Sequence, residues 1–136
     1  SGLYPRARSK VGARGLMQLM PATARSVANE REEVYGGASS LYDPETNITL
    51  GATYYVDLLS RFEGNRVKAL AAYNAGPSRV VRWTEDEMAV DQWVDSIPFG
   101  ETREYVQAVL AYLVIYRMRA EQPVSLLTAA EREALY

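Results

Sequence analysis

From residue 21 onward the apolar positions of this chain recur every three or four residues, the period of a helix with one buried face. One such stripe is Ile48, Ala52, Tyr55, Leu59 and Phe62, widened by Leu58. Asp43-Pro44-Glu45 sets its start, with an N-cap acid, a proline at the first helical position and a second acid in the positive first turn. The spacing predicts a helix to about Phe62, ended by Gly64. The longest stripe is Tyr105, Val106, Val109, Leu110, Tyr112, Leu113 and Tyr116, which predicts a helix over about 101–119 and makes it the expected core.

Shorter elements lie around these two. Pro21 opens a helix running to about Glu30, with Ala22, Ala24, Val27 and Ala28 continuing the pattern. Asn65 caps a helix with core face Val67, Leu70 and Ala71, ending near Tyr73. After the break at Asn74-Ala75-Gly76-Pro77, Pro77 restarts a short helix carrying Val80, Val81 and Trp83. A brief helical turn is expected around Gln92 to Val94, after a solvated acidic loop at Glu85-Asp86-Glu87. Thr128 with Glu131 three residues on reads as a capping box opening a short helix to Leu135. Residues 1–14 read as an irregular entry loop and residues 34–41 as a second loop. No β alternation persists and no repeat period is present, so an all-α fold is expected.

Three runs break the helical pattern: Gly12 to Pro21, Ala72 to Pro77, and Ser96 to Thr102. Each sets a polar group beside glycine or proline at a helix end: Gln18 among methionines and leucines, Tyr73 with Asn74, and Glu101. Polar groups on such ends converge readily on a groove, because rigid helices support an open backbone. Singly, each has an ordinary structural reading. A buried amide is usually hydrogen-bonded structure, Ser9 fits a turn serine, Met20 fits packing and Asn74 fits capping. Together they mark a candidate site.

Composition narrows the chemistry. A chain of 136 residues fits one domain that buries about two-thirds of its unfolded surface. It contains neither Cys nor His, which excludes a disulfide framework, a cysteine nucleophile, a Ser-His-Asp triad and a His-containing zinc site. Any proton transfer falls to carboxylates, Tyr or Lys. The net charge of −2 argues against general nucleic-acid binding. Arg6, Arg8, Lys10, Arg14 and Arg25 all precede the first acid, Glu30, a bias that suits either an anionic polymer or a solvated loop facing the acidic remainder. No stretch approaches the ~18 uninterrupted apolar residues of a membrane span, so none is required. The absence of Cys fits cytosol and periplasm equally. A chain opening on Ser-Gly without Met, and without a signal peptide, reads as a processed product or an excised fragment.

Four blocks in one order carry a family resemblance: Gly12-Ala13-Arg14-Gly15-Leu16-Met17-Gln18-Leu19-Met20-Pro21, preceded by Ser1, Pro5 and Ser9; Asp43-Pro44-Glu45-Thr46-Asn47-Ile48; Ala72-Tyr73-Asn74-Ala75-Gly76-Pro77; and Ile97-Pro98-Phe99-Gly100-Glu101-Thr102-Arg103-Glu104-Tyr105-Val106. Spread over nearly the whole chain, they resemble the catalytic domain of the soluble lytic transglycosylases, the goose-lysozyme-like peptidoglycan lyases. The blocks after Ile97 resemble the large periplasmic soluble type. The resemblance implies a lysozyme-like, goose-type helical domain with a substrate groove over residues 1–136, acting on peptidoglycan glycan strands in the periplasm or cell envelope without metal or cofactor.

The implied reaction breaks the β-1,4 bond between N-acetylmuramic acid and N-acetylglucosamine without water. One Glu protonates the leaving oxygen, then as a carboxylate takes the proton of the muramoyl 6-hydroxyl, which closes a 1,6-anhydro ring. A carboxyl whose pKa is raised in an apolar pocket serves both steps. The nucleophile belongs to the substrate, unlike the usual two-carboxylate scheme. Carried over by position, Ser9 hydrogen-bonds that carboxyl, and Gln18 and Met20 line the sugar subsites, with Gly15 permitting close backbone approach. Tyr73 sits near the carboxyl and orients it or the substrate, Asn74 supports its loop, and Glu101 contacts the sugar or peptide of the strand. The family places its catalytic Glu directly before the residue matched by Ser1, so the general acid is expected one position ahead of this chain, which by itself is expected to be inactive. Leu3 and Tyr4 depart from the aromatic and Asn or Asp that many members place before the proline. Three other readings stand beside this one: a lysozyme-type hydrolase of the same fold, a non-catalytic peptidoglycan-binding module, and a plain helical interaction domain.

Overall fold

The computed structural model describes residues 4–122 and 125–136. The expectations attached to Ser1 and Leu3 lie outside the described residues. The chain divides into two compact units, Ser1–Asp57 and Leu58–Tyr136. Among the described residues there are helices and two isolated antiparallel bridges, Arg8 with Arg14 and Arg14 with Leu19, but no strand.

In the first unit an entry loop leads to α1 (Pro21–Glu30), which opens on its proline and buries Ala24, Val27 and Ala28. Where the sequence predicts only a loop over 34–41, a short 3-10 helix forms at Ala38–Tyr42 and buries Leu41. The α2 helix (Pro44–Arg61) follows, its residues from Leu58 onward belonging to the second unit. Asp43 caps it as expected: the backbone amide and hydroxyl of Thr46 donate to Asp43 Oδ2 at 2.9 and 2.8 Å, and these bonds hold the carboxyl below its ordinary pKa. The buried face of α2 is not the predicted one. Asn47, Leu50 and Leu58 are buried while Ile48 is 47% exposed, so the helix is turned by about one residue relative to the stripe that begins at Ile48. The Asn47 side chain supplies the reason below. Arg31 forks both oxygens of Asp57 at 2.7 and 2.9 Å, a half-exposed pair that contributes no more than about 1 kcal/mol.

The second unit contains α3 (Arg66–Ala75), α4 (Pro77–Trp83), α5 (Val90–Ser96), α6 (Gly100–Arg119) and α7 (Ala129–Glu133). Asn65 caps α3 by accepting from the Lys68 amide at 3.0 Å. The break after α3 falls at Gly76, whose φ of +94° suits glycine, and Pro77 starts α4, so Asn74 lies in the last helical turn instead of beyond it. The α5 helix is longer than the turn predicted around Gln92.

The expected core helix is a correction. In α6 only Thr102, Val106 and Leu110 are buried, and Tyr112 and Tyr116 are each 70% exposed. The buried helix is α3, with Val67, Ala69, Leu70, Ala71, Ala72 and Ala75 all inside. Small alanines let neighbouring backbone approach α3 on several sides, so its burial follows its place in the unit and not the strength of its apolar stripe.

The capping box at Thr128 and Glu131 forms as predicted, although α7 stops at Glu133 and the chain then extends. Glu131, nearly fully buried, accepts from Arg66 through its Nε at 2.7 Å, Nη2 at 2.7 Å and backbone amide at 3.0 Å, and from the Thr128 amide at 2.8 Å. Tyr136 exchanges backbone hydrogen bonds with Met88 at 2.8 and 2.7 Å, and its ring lies 5.2 Å from that of the fully buried Trp93. No helix among the described residues is long and apolar enough to cross a membrane.

Candidate functional site

The Gly12–Pro21 run folds into a tight double turn. Arg14 and Leu19 exchange backbone hydrogen bonds at 3.0 Å, the Gly15 amide reaches back to the Ala7 carbonyl at 2.9 Å, and the Gln18 amide closes onto the Gly15 carbonyl at 3.1 Å. Ser9 sits at the foot of this turn as a half-buried turn serine. Its Oγ accepts from the Ala13 amide at 3.0 Å, and its own amide donates to the Ala13 carbonyl at 2.9 Å.

Gln18 is not the buried amide that its apolar neighbours suggest; it is exposed. Its backbone adopts a left-handed φ of +49°, which costs a non-glycine residue about 1 kcal/mol. Its side-chain Nε2 donates to the Gly15 carbonyl at 2.8 Å and the Ala7 carbonyl at 3.3 Å. An exposed polar side chain is therefore held by the loop in one orientation, on a strained backbone. Met20 caps the start of α1 and is 39% exposed.

The residue that sequence reading left without a role is Asn47. It is fully buried, and its side chain makes three hydrogen bonds to backbone: Oδ1 accepts from the Met17 amide at 2.8 Å, and Nδ2 donates to the Arg14 carbonyl at 2.8 Å and the Leu41 carbonyl at 2.9 Å. These bonds turn the Asn47 face of α2 inward and leave Ile48 outside. Gly15, at φ +77°, lies against them: a β-carbon there would overlap Asn47 Nδ2 and the Leu41 carbonyl oxygen. The close approach that Gly15 permits is thus taken up by Asn47. The signal the sequence offers for it is a polar residue three positions before Leu50 on the same helix.

In the second unit Tyr73 is half-buried and Asn74 exposed, both in the last turn of α3. Asn74 Oδ1 accepts from the hydroxyl of Thr102 at 2.7 Å, and Thr102 is buried in the first turn of α6. This bond ties the end of α3 to the start of α6 and brings Glu101 beside that junction. Glu101 is exposed and occupies the positive first turn of α6. Around it, Arg103 Nη1 donates to the Ile97 carbonyl at 3.2 Å, the Arg79 guanidinium lies 5.0 Å from the Phe99 ring centre, and Phe99 meets Trp83 edge-on at 5.4 Å. Sequence reading missed Thr102, although it stands beside Glu101.

The carboxylates with displaced titration are not poised as general acids. Thr46 holds Asp43 below its ordinary value. Burial raises Glu131, but the bonds from Arg66 and Thr128 and the Arg66 charge outweigh it and hold the group at about 2. A carboxyl that must deliver a proton needs the opposite shift. Among the described residues no group of three or more acidic side chains could hold a metal ion.

The Transglycosylase SLT domain family matches residues 1–96, and the Soluble lytic transglycosylase helical domain matches residues 96–124. The soluble lytic murein transglycosylase of Salmonella typhimurium is 43% identical over 140 residues, covering 100% of this chain and 22% of the relative. That of Escherichia coli is 44% identical over 135 residues, covering 96% and 21%. Among solved structures, the 70 kDa soluble lytic transglycosylase of Escherichia coli superposes with a TM-score of 0.92 at 40% identity, over 100% of this chain and 23% of that one. An inactive Glu-to-Gln mutant of the lytic transglycosylase Slt from Pseudomonas aeruginosa gives 0.87 at 46% identity, over 97% and 22%. The chain spans about a fifth of the length of the curated relatives it matches. The all-α, lysozyme-like fold expected from the motifs is the observed one, and with most of its length matched to the family, the chain belongs to the transglycosylase SLT family.

Proposed function

We propose that residues 1–136 form the catalytic domain of a peptidoglycan lytic transglycosylase that cleaves the β-1,4 MurNAc-GlcNAc bond with formation of 1,6-anhydro-MurNAc in the periplasm. The observation that carries this reading is Gln18: an exposed amide on a strained backbone, fixed by two carbonyls of its own loop, in a family whose relatives are named murein transglycosylases. A fixed amide binds a sugar hydroxyl or acetamido group without first losing rotamer freedom.

In this reading the general acid is the Glu that the family supplies directly ahead of the Ser1 position, and the inactive Glu-to-Gln relative supports the role of a single carboxyl. The acid gives its proton to the bridging oxygen as the bond to the muramoyl C1 breaks. The carboxylate then takes the proton of the 6-hydroxyl as its oxygen bonds to C1, so no water is consumed. Ser9 accepts from the Ala13 amide, which leaves its own O–H to donate to that carboxylate. Gln18 and Met20 line the sugar subsites, Tyr73 orients the carboxyl or the substrate, Asn74 holds the α3 end through Thr102, and Glu101 contacts the sugar or peptide of the strand.

The test is product release from purified sacculi by residues 1–136 and by a polypeptide extended upstream through the Glu. The extended form is expected to release 1,6-anhydromuropeptides and the shorter form almost none. Equal activity of the two would overturn the placement of the acid, and reducing-end products would make the protein a lysozyme-type hydrolase.

A further inference from the structure

We infer that Asn47 is a positioning residue for the glycan site, acting through the Gly12–Pro21 loop; the inference rests on the reading of that loop as sugar-binding. The side chain of Asn47 makes its hydrogen bonds to backbone. Its side chain reaches the Arg14 carbonyl and the Met17 amide, which flank Gly15 and Leu16 in the tight turn, and it also holds the Leu41 carbonyl at the end of the 3-10 segment. One amide therefore joins three backbone points from segments remote in sequence.

The amide itself has little freedom. Asn47 lies in the first turn of α2, its backbone amide donates to the Asp43 carbonyl at 2.9 Å, and Asp43 is the cap of that helix. The helix end fixes Asn47, Asn47 fixes the backbone at 14 and 17, and Gln18 hangs from that backbone through its bond to the Gly15 carbonyl. A buried, fully engaged amide with glycine opposite it leaves no room for the loop to settle closer. Removing the amide takes one hydrogen-bond partner from the Met17 N–H and from the Arg14 and Leu41 carbonyls, of which the Arg14 carbonyl keeps the Leu19 amide, and the turn shifts to make up the lost bonds. Met20 and Gln18 shift with it. A displacement near 1 Å at a substrate-positioning group is enough to lower turnover about a hundredfold.

Asn47→Asp separates this role from bulk stability. The aspartate keeps an acceptor for the Met17 amide but sets a carboxylate oxygen against the Arg14 and Leu41 carbonyls. Burial and that repulsion raise its pKa, and the protonated form can again donate to one carbonyl.

The experiment uses the full-length protein on purified sacculi at a temperature well below every variant's melting point, reading 1,6-anhydromuropeptide release. Asn47→Ala is expected to raise KM at least about fivefold and lower kcat/KM about 10- to 100-fold. Asn47→Asp is expected to lose most at neutral pH and to recover relative to wild type as pH falls. Glu131→Gln, at the far end of the second unit's sequence, serves as a destabilised control and is expected to keep both constants within about twofold. If Asn47→Ala is not recovered folded, Asn47→Ser, which keeps one polar atom, takes its place. Wild-type constants in a folded Asn47 variant, or a loss in Asn47→Asp that is the same at every pH, would overturn the positioning role while the proposed activity stands. Absence of anhydro product from the wild type would overturn the activity and the glycan role of Asn47 with it.

Discussion

Acid should loosen the second unit through Glu131. Its side chain is 3% exposed and bound by Arg66, itself 18% exposed, so solvent screens the pair little. Burial alone would raise the Glu131 pKa, but the bonds from Arg66, the amides of Thr128 and Arg66, and the Arg66 charge bring it from an ordinary 4.5 down to about 2. A depressed folded-state pKa means that the unfolded chain takes up the proton first as pH falls. The stabilisation is therefore complete above about 4.5 and is lost progressively as pH falls toward about 2. A gap of about 2.5 units at 1.36 kcal/mol per unit gives roughly 3 kcal/mol. That is a large share of the ~5–15 kcal/mol that separates folded from unfolded states.

The measurement is urea unfolding followed by circular dichroism at pH 7, 5, 4, 3 and 2.5, on wild type and Glu131→Gln. The variant should be less stable at pH 7 by about 3 kcal/mol, since the largely buried Arg66 guanidinium loses its charged bonds to the Glu131 carboxylate. It should also lack the part of the acid-dependent loss between about 4.5 and 2 that Glu131 supplies. Parallel stability curves for the two proteins across that window would refute the assignment of the pH dependence to this residue.

Gly15→Ala should destabilise the protein by about 2 kcal/mol or more, from the left-handed backbone and the overlap with Asn47 and the Leu41 carbonyl; a melting temperature equal to wild type would count against the tight fit. Thr102→Val removes the bond to Asn74 with little change of shape and should cost about 1 kcal/mol, read by thermal unfolding. Ser9→Ala in the full-length protein should lower kcat about 10- to 100-fold with a smaller change in KM, the scale of one hydrogen bond to a charged group; unchanged kcat would remove Ser9 from the catalytic centre.

The parts of the fold legible in the sequence are those decided within a few residues. Asp43 with Pro44, Pro21, Pro77 and the Thr128-Glu131 box act on backbone groups next to them, and each sits where its chemistry requires. Which face turns inward is a longer-range matter. Ile48 is more apolar than Asn47, yet Asn47 is buried because its partners at Arg14 and Met17 lie 33 and 30 residues away in the chain. Likewise α3, rich in alanine and weak in stripe, takes the centre that the stronger α6 pattern suggested for itself. The Gly12–Pro21 loop was recognisable because Gln18 is out of place among its apolar neighbours. Its support was not, because that support is a side chain serving another segment's backbone.

The burial gradient along α6 has a consequence in time. Twenty residues form one continuous helix, but Val106 and Leu110 are buried in its first half while Tyr112, Ile115, Tyr116 and Met118 are 45% to 70% exposed in its second. Amides near Val106 can exchange with solvent only through openings that breach the packed unit. Those past Tyr112 can do so by fraying a turn or two from the C-terminal end. Hydrogen exchange should therefore show two protection regimes within a single helix, separated near Leu110.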